Sequence, residues 1–171
     1  MGLLDRLRGT RPPSAALSWL EPGERVTAWG RTPDGSALLA TPLGLWCAGE
    51  RLGWHEVHKA RWDAGVLTVV PSVEASPGVR EDAPPRRYPI VEANGLPEEV
   101  RARVTRSVAY STHHRLGEGG VRIVARRVPG RDGLSWAVRY DPGTSRDAES
   151  DRRVAELLDA ARAETAPPPD L

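Results

Sequence analysis

At 171 residues, 39% of them hydrophobic, with a formal net charge of +1, the chain suits one elaborated domain and carries no global field that would draw it onto a polyanion. Cys47 is the only cysteine, which excludes an internal disulfide and predicts a reducing, cytoplasmic setting. Lys59 is the only lysine in a chain rich in Arg, Ala, Gly and Pro; this is the signature of a GC-rich genome, so arginine abundance alone is no sign of phosphate or nucleic-acid binding.

The opening residues lack the apolar core and cleavage site of a signal peptide. Leu3, Leu4 and Leu7 fall at helical spacing beside Arg6 and Arg8, a pattern read as a turn docked on the body, with a weak interfacial anchor as the competing reading. Short strands punctuated by turns are then predicted over Glu24–Arg31, Ser36–Thr41, Leu43–Ala48, Arg51–Trp54, His58–Trp62 and Gly65–Val70. The turns are Thr32-Pro-Asp-Gly35, Gly49-Glu50 and Asp63-Ala-Gly65, where Pro presets φ and Gly takes positive φ. Residues from Pro71 to Pro85 are polar and Pro-rich, which predicts a mobile surface loop. Arg86–Glu92 returns to strand.

Pro97 opens the firmest helix, with Glu98 and Glu99 at the positive end of the dipole. Val100, Val104 and Val108 recur every four residues on one face. Beyond it, Val121–Val128 and Leu134–Tyr140 flank the Gly-rich loop Pro129–Gly133 as a β-hairpin. Leu134, Trp136, Val138 and Tyr140 share one face, while Arg122, Arg126 and Arg139 share the other. A last helix over Asp147–Ala163 places Val154, Leu157, Leu158 and Ala161 on one side. The Pro167-Pro-Pro169 tail is disordered by composition.

No catalytic set stands out. His55 and His58 are three apart in a stretch read as strand and turn, where their side chains should diverge; the zinc-protease helix needs a spacing of four. His113 and His114 are adjacent, and with no cysteine cluster a tetrahedral metal site is not expected. Cys47 reads as a buried inert thiol. Gly117-Glu-Gly-Gly120 reads as a turn into a strand, not a phosphate cradle.

Leu20-Glu-Pro-Gly-Glu-Arg-Val26, Leu38-Leu-Ala-Thr-Pro-Leu-Gly-Leu-Trp46, Trp54-His-Glu-Val57 and Gly65-Val-Leu-Thr-Val69 together resemble a bacterial pleckstrin-homology-like (PH-like) domain over residues 20–112. The whole chain is similar to small actinobacterial cytoplasmic proteins. The resemblance implies a mainly β (α+β) fold: a bent barrel of about seven strands closed by a helix, and a scaffold for protein or peptide binding. Phosphoinositide binding is not implied, because Thr32-Pro-Asp-Gly-Ser36 adds no basic residue to Arg31.

The expected organisation is an N-terminal segment (1–19), the barrel (20–112), a hairpin-plus-helix extension (113–164) and a tail (165–171). The expected function is a non-enzymatic module, without cofactor or metal, that binds a protein segment or its own copy. A nucleic-acid module using the Arg-rich hairpin and a peripheral membrane protein using the leucine patch are the alternatives. Candidate binding residues are Arg122, Arg126 and Arg139 on the hairpin, with Trp29 and Trp62 as a partly exposed aromatic pair. Trp46 and Trp54 are expected in the core.

Overall fold

A computed structural model describes residues 11–166. After a single helical turn, α1 (Ser14–Leu17), the chain forms an antiparallel meander of four short strands: β1 (Ala28–Arg31), β2 (Ala37–Ala40), β3 (Gly44–Cys47) and β4 (Glu50–Gly53). Each connection is a tight turn, with Gly35 and Gly49 at positive φ, a conformation that costs glycine little because it has no Cβ. A 3-10 turn at Trp54–Glu56 leads into β5 (Val57–Asp63), which pairs with the long β6 (Val66–Ser76). The first half of β6 is also paired by β8 (Arg86–Pro89), and its second half by β7 (Val79–Asp82).

Helix α2 (Leu96–Ser107) then covers the enclosed space, burying Leu96, Val100 and Val104. Burial of this kind is worth about 1.5–3 kcal/mol per side chain. The two sheets and α2 share one core, in which Leu38, Leu45, Trp54, Val57, Leu67 and Val69 meet the helix.

The chain continues as a second meander, β9 (Val108–Leu116), β10 (Gly119–Arg127) and β11 (Leu134–Tyr140). β11 joins β7 in parallel through Val138 and Val79. The result is a curled half-barrel sheet in the order β5-β6-β7-β11-β10-β9. One face of the added strands packs Val121, Ile123 and Val138 under Val154 and Ala161 of α3 (Ala148–Thr165). The side chain of Asp147 caps α3, accepting from the Ser150 amide at 2.8 Å.

The fold is mainly β, as the sequence predicts, but two expectations are corrected. Residues 71–85 are not a mobile loop; they hold the end of β6, a turn at Pro77-Gly78 and all of β7. The helix stops at Ser107, and Val108, expected on its apolar face, is instead the first residue of β9. The hairpin β10–β11 joins the barrel sheet through β11, and β9 flanks it as the outer strand of a three-stranded meander. The leucine patch at Leu3, Leu4 and Leu7 and the Pro167–Leu171 tail lie outside the described residues. Among the described residues no helix is long and apolar enough to cross a membrane.

Candidate anion-binding site

Strand alternation decides what faces the inside of the curl. With Val121, Ile123 and Ala125 of β10 turned to α3, Arg122, Val124 and Arg126 turn the other way. Register carries this across the sheet: Arg122 is directly opposite Arg139 on β11 and His113 on β9. Because Val138 pairs with Val79, Arg139 lies beside Arg80 of β7. The arginines of β7, β11 and β10 thus form a row on one face, and Arg126 lies two pleats further along β10.

These side chains line a cavity of about 230 Å³ at the junction of the barrel and the added strands. Arg80, Arg122, Arg126 and Arg139 surround it, with the hydroxyls of Ser72, Ser111 and Ser135 and the imidazoles of His55 and His58. No carboxylate lines it.

Each guanidinium is held in place. Arg126 Nη1 donates to Ser107 Oγ at 2.6 Å and Nη2 to the His58 carbonyl at 3.1 Å. Arg80 Nε donates to Ser72 Oγ at 2.9 Å, and its Nη2 donates to the Ser72 carbonyl. Arg139 Nη1 donates to the same hydroxyl at 3.0 Å, and its Nη2 pairs with Asp82. Arg122 Nη1 reaches Ser111 Oγ at 3.3 Å. Of the four, only Arg139 has a carboxylate partner among the described residues.

Electrostatics follow from this crowding. Burial, then the neighbouring Arg139 and Arg80, pull Arg126 below the ordinary arginine value. Burial lowers His58, with Arg139 reinforcing the shift and Asp82 opposing it. Burial likewise lowers His55, with Glu56 opposing and Arg80, Arg131 and Arg126 reinforcing. Both imidazoles are therefore neutral at pH 7, and His55 Nδ1 is buried without a hydrogen-bond partner.

A second hollow of about 530 Å³ shares His58, Arg80, Arg122 and Arg139 and runs past the carboxylates of Glu81 and Asp82 to Arg146 and the residues 141–144. That loop is pinned by Thr144 Oγ1, which donates to the Gly120 carbonyl and accepts from the Gly120 amide, both at 3.1 Å. The close approach needs glycine: a Cβ at Gly119 would lie 2.9 Å from Thr144 Cβ and 3.0 Å from its Cα.

The structure brings Arg122, Arg126 and Arg139 together on one face, with Trp136 and Tyr140 on the other beneath α3. The tryptophans do not join them. Trp29, expected at the surface, is 5% exposed. The outer face of the first sheet is covered by α1 and the following turn, where Trp29 packs with Ala16, Leu39 and Trp46. Trp62 is 41% exposed and borders a separate groove with Pro97 and Arg101 that shares no residue with the arginine cavity. Trp46 and Trp54 are buried as expected.

Reading the chain as strand and turn wrongly separated His55 from His58. His55 sits in the 3-10 turn, so both imidazoles reach the same cavity. Arg80, Ser72 and Asp82 were missed altogether. Their signal was the alternation of Arg80 and Asp82 with Val79 and Glu81 after the Pro77-Gly78 turn.

No family model, curated protein or solved structure matches this chain.

Proposed function

We propose that the chain is a non-enzymatic interaction module, a PH-like barrel extended by a three-stranded meander, whose arginine cavity seats an anionic group carried by a partner protein segment. One observation carries this reading: Arg80, Arg122 and Arg126 surround a cavity with no carboxylate to neutralise them. Like charges directly opposite across two strands are destabilising, yet Arg122 and Arg139 are so placed. A bound anion removes that penalty and gains charge-assisted hydrogen bonds from guanidiniums already ordered by Ser72, Ser107 and the His58 carbonyl.

Guanidiniums do not give up protons near neutral pH, so the set is suited to holding charge rather than to acid–base chemistry. A nucleic-acid groove is less well supported, because such grooves interleave cations with exposed aromatic rings and the rings of the added strands lie on the opposite face.

The reading is tested by calorimetric titration of the full chain with sulfate, inorganic phosphate and acetate in low-chloride buffer. Saturable one-to-one binding of at least one anion, lost in R80Q and R122Q, is expected. No saturable binding by any of the three would refute it. A duplex or single-stranded oligonucleotide that binds more tightly than these anions, with a steep salt slope, would replace it by the nucleic-acid reading.

A further inference from the structure

We infer, building on the anion-binding reading, that the cavity is made for a phosphate monoester, borne by a phosphorylated serine or threonine of an extended protein segment that adds to the outer edge of β9.

Charge favours phosphate over carboxylate. Four arginines line the cavity and no carboxylate does, although Asp82 pairs with Arg139 beside it. A phosphomonoester carries about −1.5 to −2 at pH 7 and offers three strong acceptor oxygens, whereas a carboxylate brings a single charge.

Direction agrees as well. Donors enter from β7 through Arg80, from β10 through Arg122 and Arg126, and from Ser111 and Ser135 on the flanking strands. Such a spread suits a tetrahedral group, because the lone pairs of a carboxylate all lie in one plane.

The carrier follows from the sheet edge. β9 is the last strand in the sheet order, so its outer edge pairs with no other strand among the described residues. Arg127 Nη1 occupies the Val108 carbonyl at 3.2 Å, which leaves the stretch beyond it for an added strand. Extended peptides bind by this kind of strand addition, the backbone giving affinity and pockets for alternate side chains giving specificity. Ser111 is on that stretch and its side chain lines the cavity, so a neighbouring strand presents its own cavity-facing side chain to Arg122.

The test is calorimetry, with ³¹P and ¹⁵N nuclear magnetic resonance, on the full chain. The probes are N-acetyl-O-phosphoserine amide, N-acetylglutamate amide and vesicles containing phosphatidic acid. Phosphoserine should bind at least tenfold more tightly than glutamate, shift the amides of Ser111 and Arg122, and lose at least tenfold in R122Q. R80Q serves as the second variant, and the amide spectrum of each confirms that it is folded. Equal affinity for the two amino-acid probes would overturn the phosphate inference while the anion reading stands. Binding of neither, with sulfate and acetate also silent, would overturn both. Vesicle binding without phosphoserine binding would overturn the protein segment as the source of phosphate.

Discussion

Replacing Arg122 by glutamine tests whether the arginine row is kept for a ligand or for the fold. Arg122 is exposed, its guanidinium donates a 3.3 Å bond to Ser111 Oγ, and it faces Arg139 directly across the strands. Removing a like-charge cross-strand pair should return about 0.2–1 kcal/mol, and losing a long, exposed hydrogen bond should cost about 0.5 kcal/mol. In phosphate-free buffer R122Q is therefore expected to be as stable as the parent or slightly more so, by up to about 0.5 kcal/mol. For a domain of this size, 1 kcal/mol moves Tm by roughly 2–4 °C, so the gain is at most about 2 °C. Phosphate at a hundred times its Kd should stabilise the parent by about 2.7 kcal/mol, or roughly 5–11 °C on that scale, and the variant much less. The order of the two melting temperatures thus reverses on adding phosphate. Differential scanning calorimetry in bis-tris buffer, with and without phosphate, measures both arms. An R122Q protein destabilised by more than about 1 kcal/mol without phosphate would show that Arg122 is structural and refute the argument from repulsion.

Further outcomes probe the scaffold. Glu24, with a side chain 1% exposed, accepts from Thr41 Oγ1 at 2.5 Å and Trp46 Nε1 at 3.0 Å. Burial raises its pKa, but these bonds, the Glu21 amide and Arg51 outweigh burial, and the net shift is downward. Its stabilising contribution is thus present above the ordinary glutamate range and is lost as pH falls through its lowered folded value. E24Q should cost about 2–3 kcal/mol by urea denaturation at pH 7, and the gap from the parent should shrink below pH 4. Gly30→Ala places a Cβ 2.8 Å from Leu96 Cδ2 and 3.2 Å from the Glu92 carbonyl; a loss of about 1–3 kcal/mol in the same assay is expected from overpacking. In single-tryptophan variants, acrylamide should quench Trp62 far more than Trp29, matching their 41% and 5% exposure. W62A should leave phosphate affinity unchanged, since Trp62 lies outside the arginine cavity.

The parts of the fold that were legible in the sequence are those where burial writes a period. Val100 and Val104 on α2, the alternation of Val121, Ile123 and Ala125 on β10, and the glycine turns at Gly35 and Gly49 all have their expected places. The candidate site was half legible for the same reason: Arg122, Arg126 and Arg139 alternate with residues that α3 buries. The other half was hidden because its strands are polar on the side facing the cavity. Ser72, Arg80 and Asp82 made the end of β6 and all of β7 look like a loop, and the polar Ser111 and His113 left β9 without a strand assignment. Trp29 failed differently. Its phase opposite Ala28 was read correctly, but the first sheet is packed on both faces, and the outer one is covered by the preceding segment through Ala16 and Trp19.

The most direct measurement of the central claim is a crystal structure of the full chain soaked with tungstate, a heavy tetrahedral oxyanion detected by its anomalous scattering. The account predicts one strong peak inside the 230 Å³ cavity, within hydrogen-bond reach of the guanidiniums of Arg80, Arg122 and Arg126, and its loss in R122Q crystals. Peaks confined to other arginines on the surface, with the cavity holding only water, would contradict it.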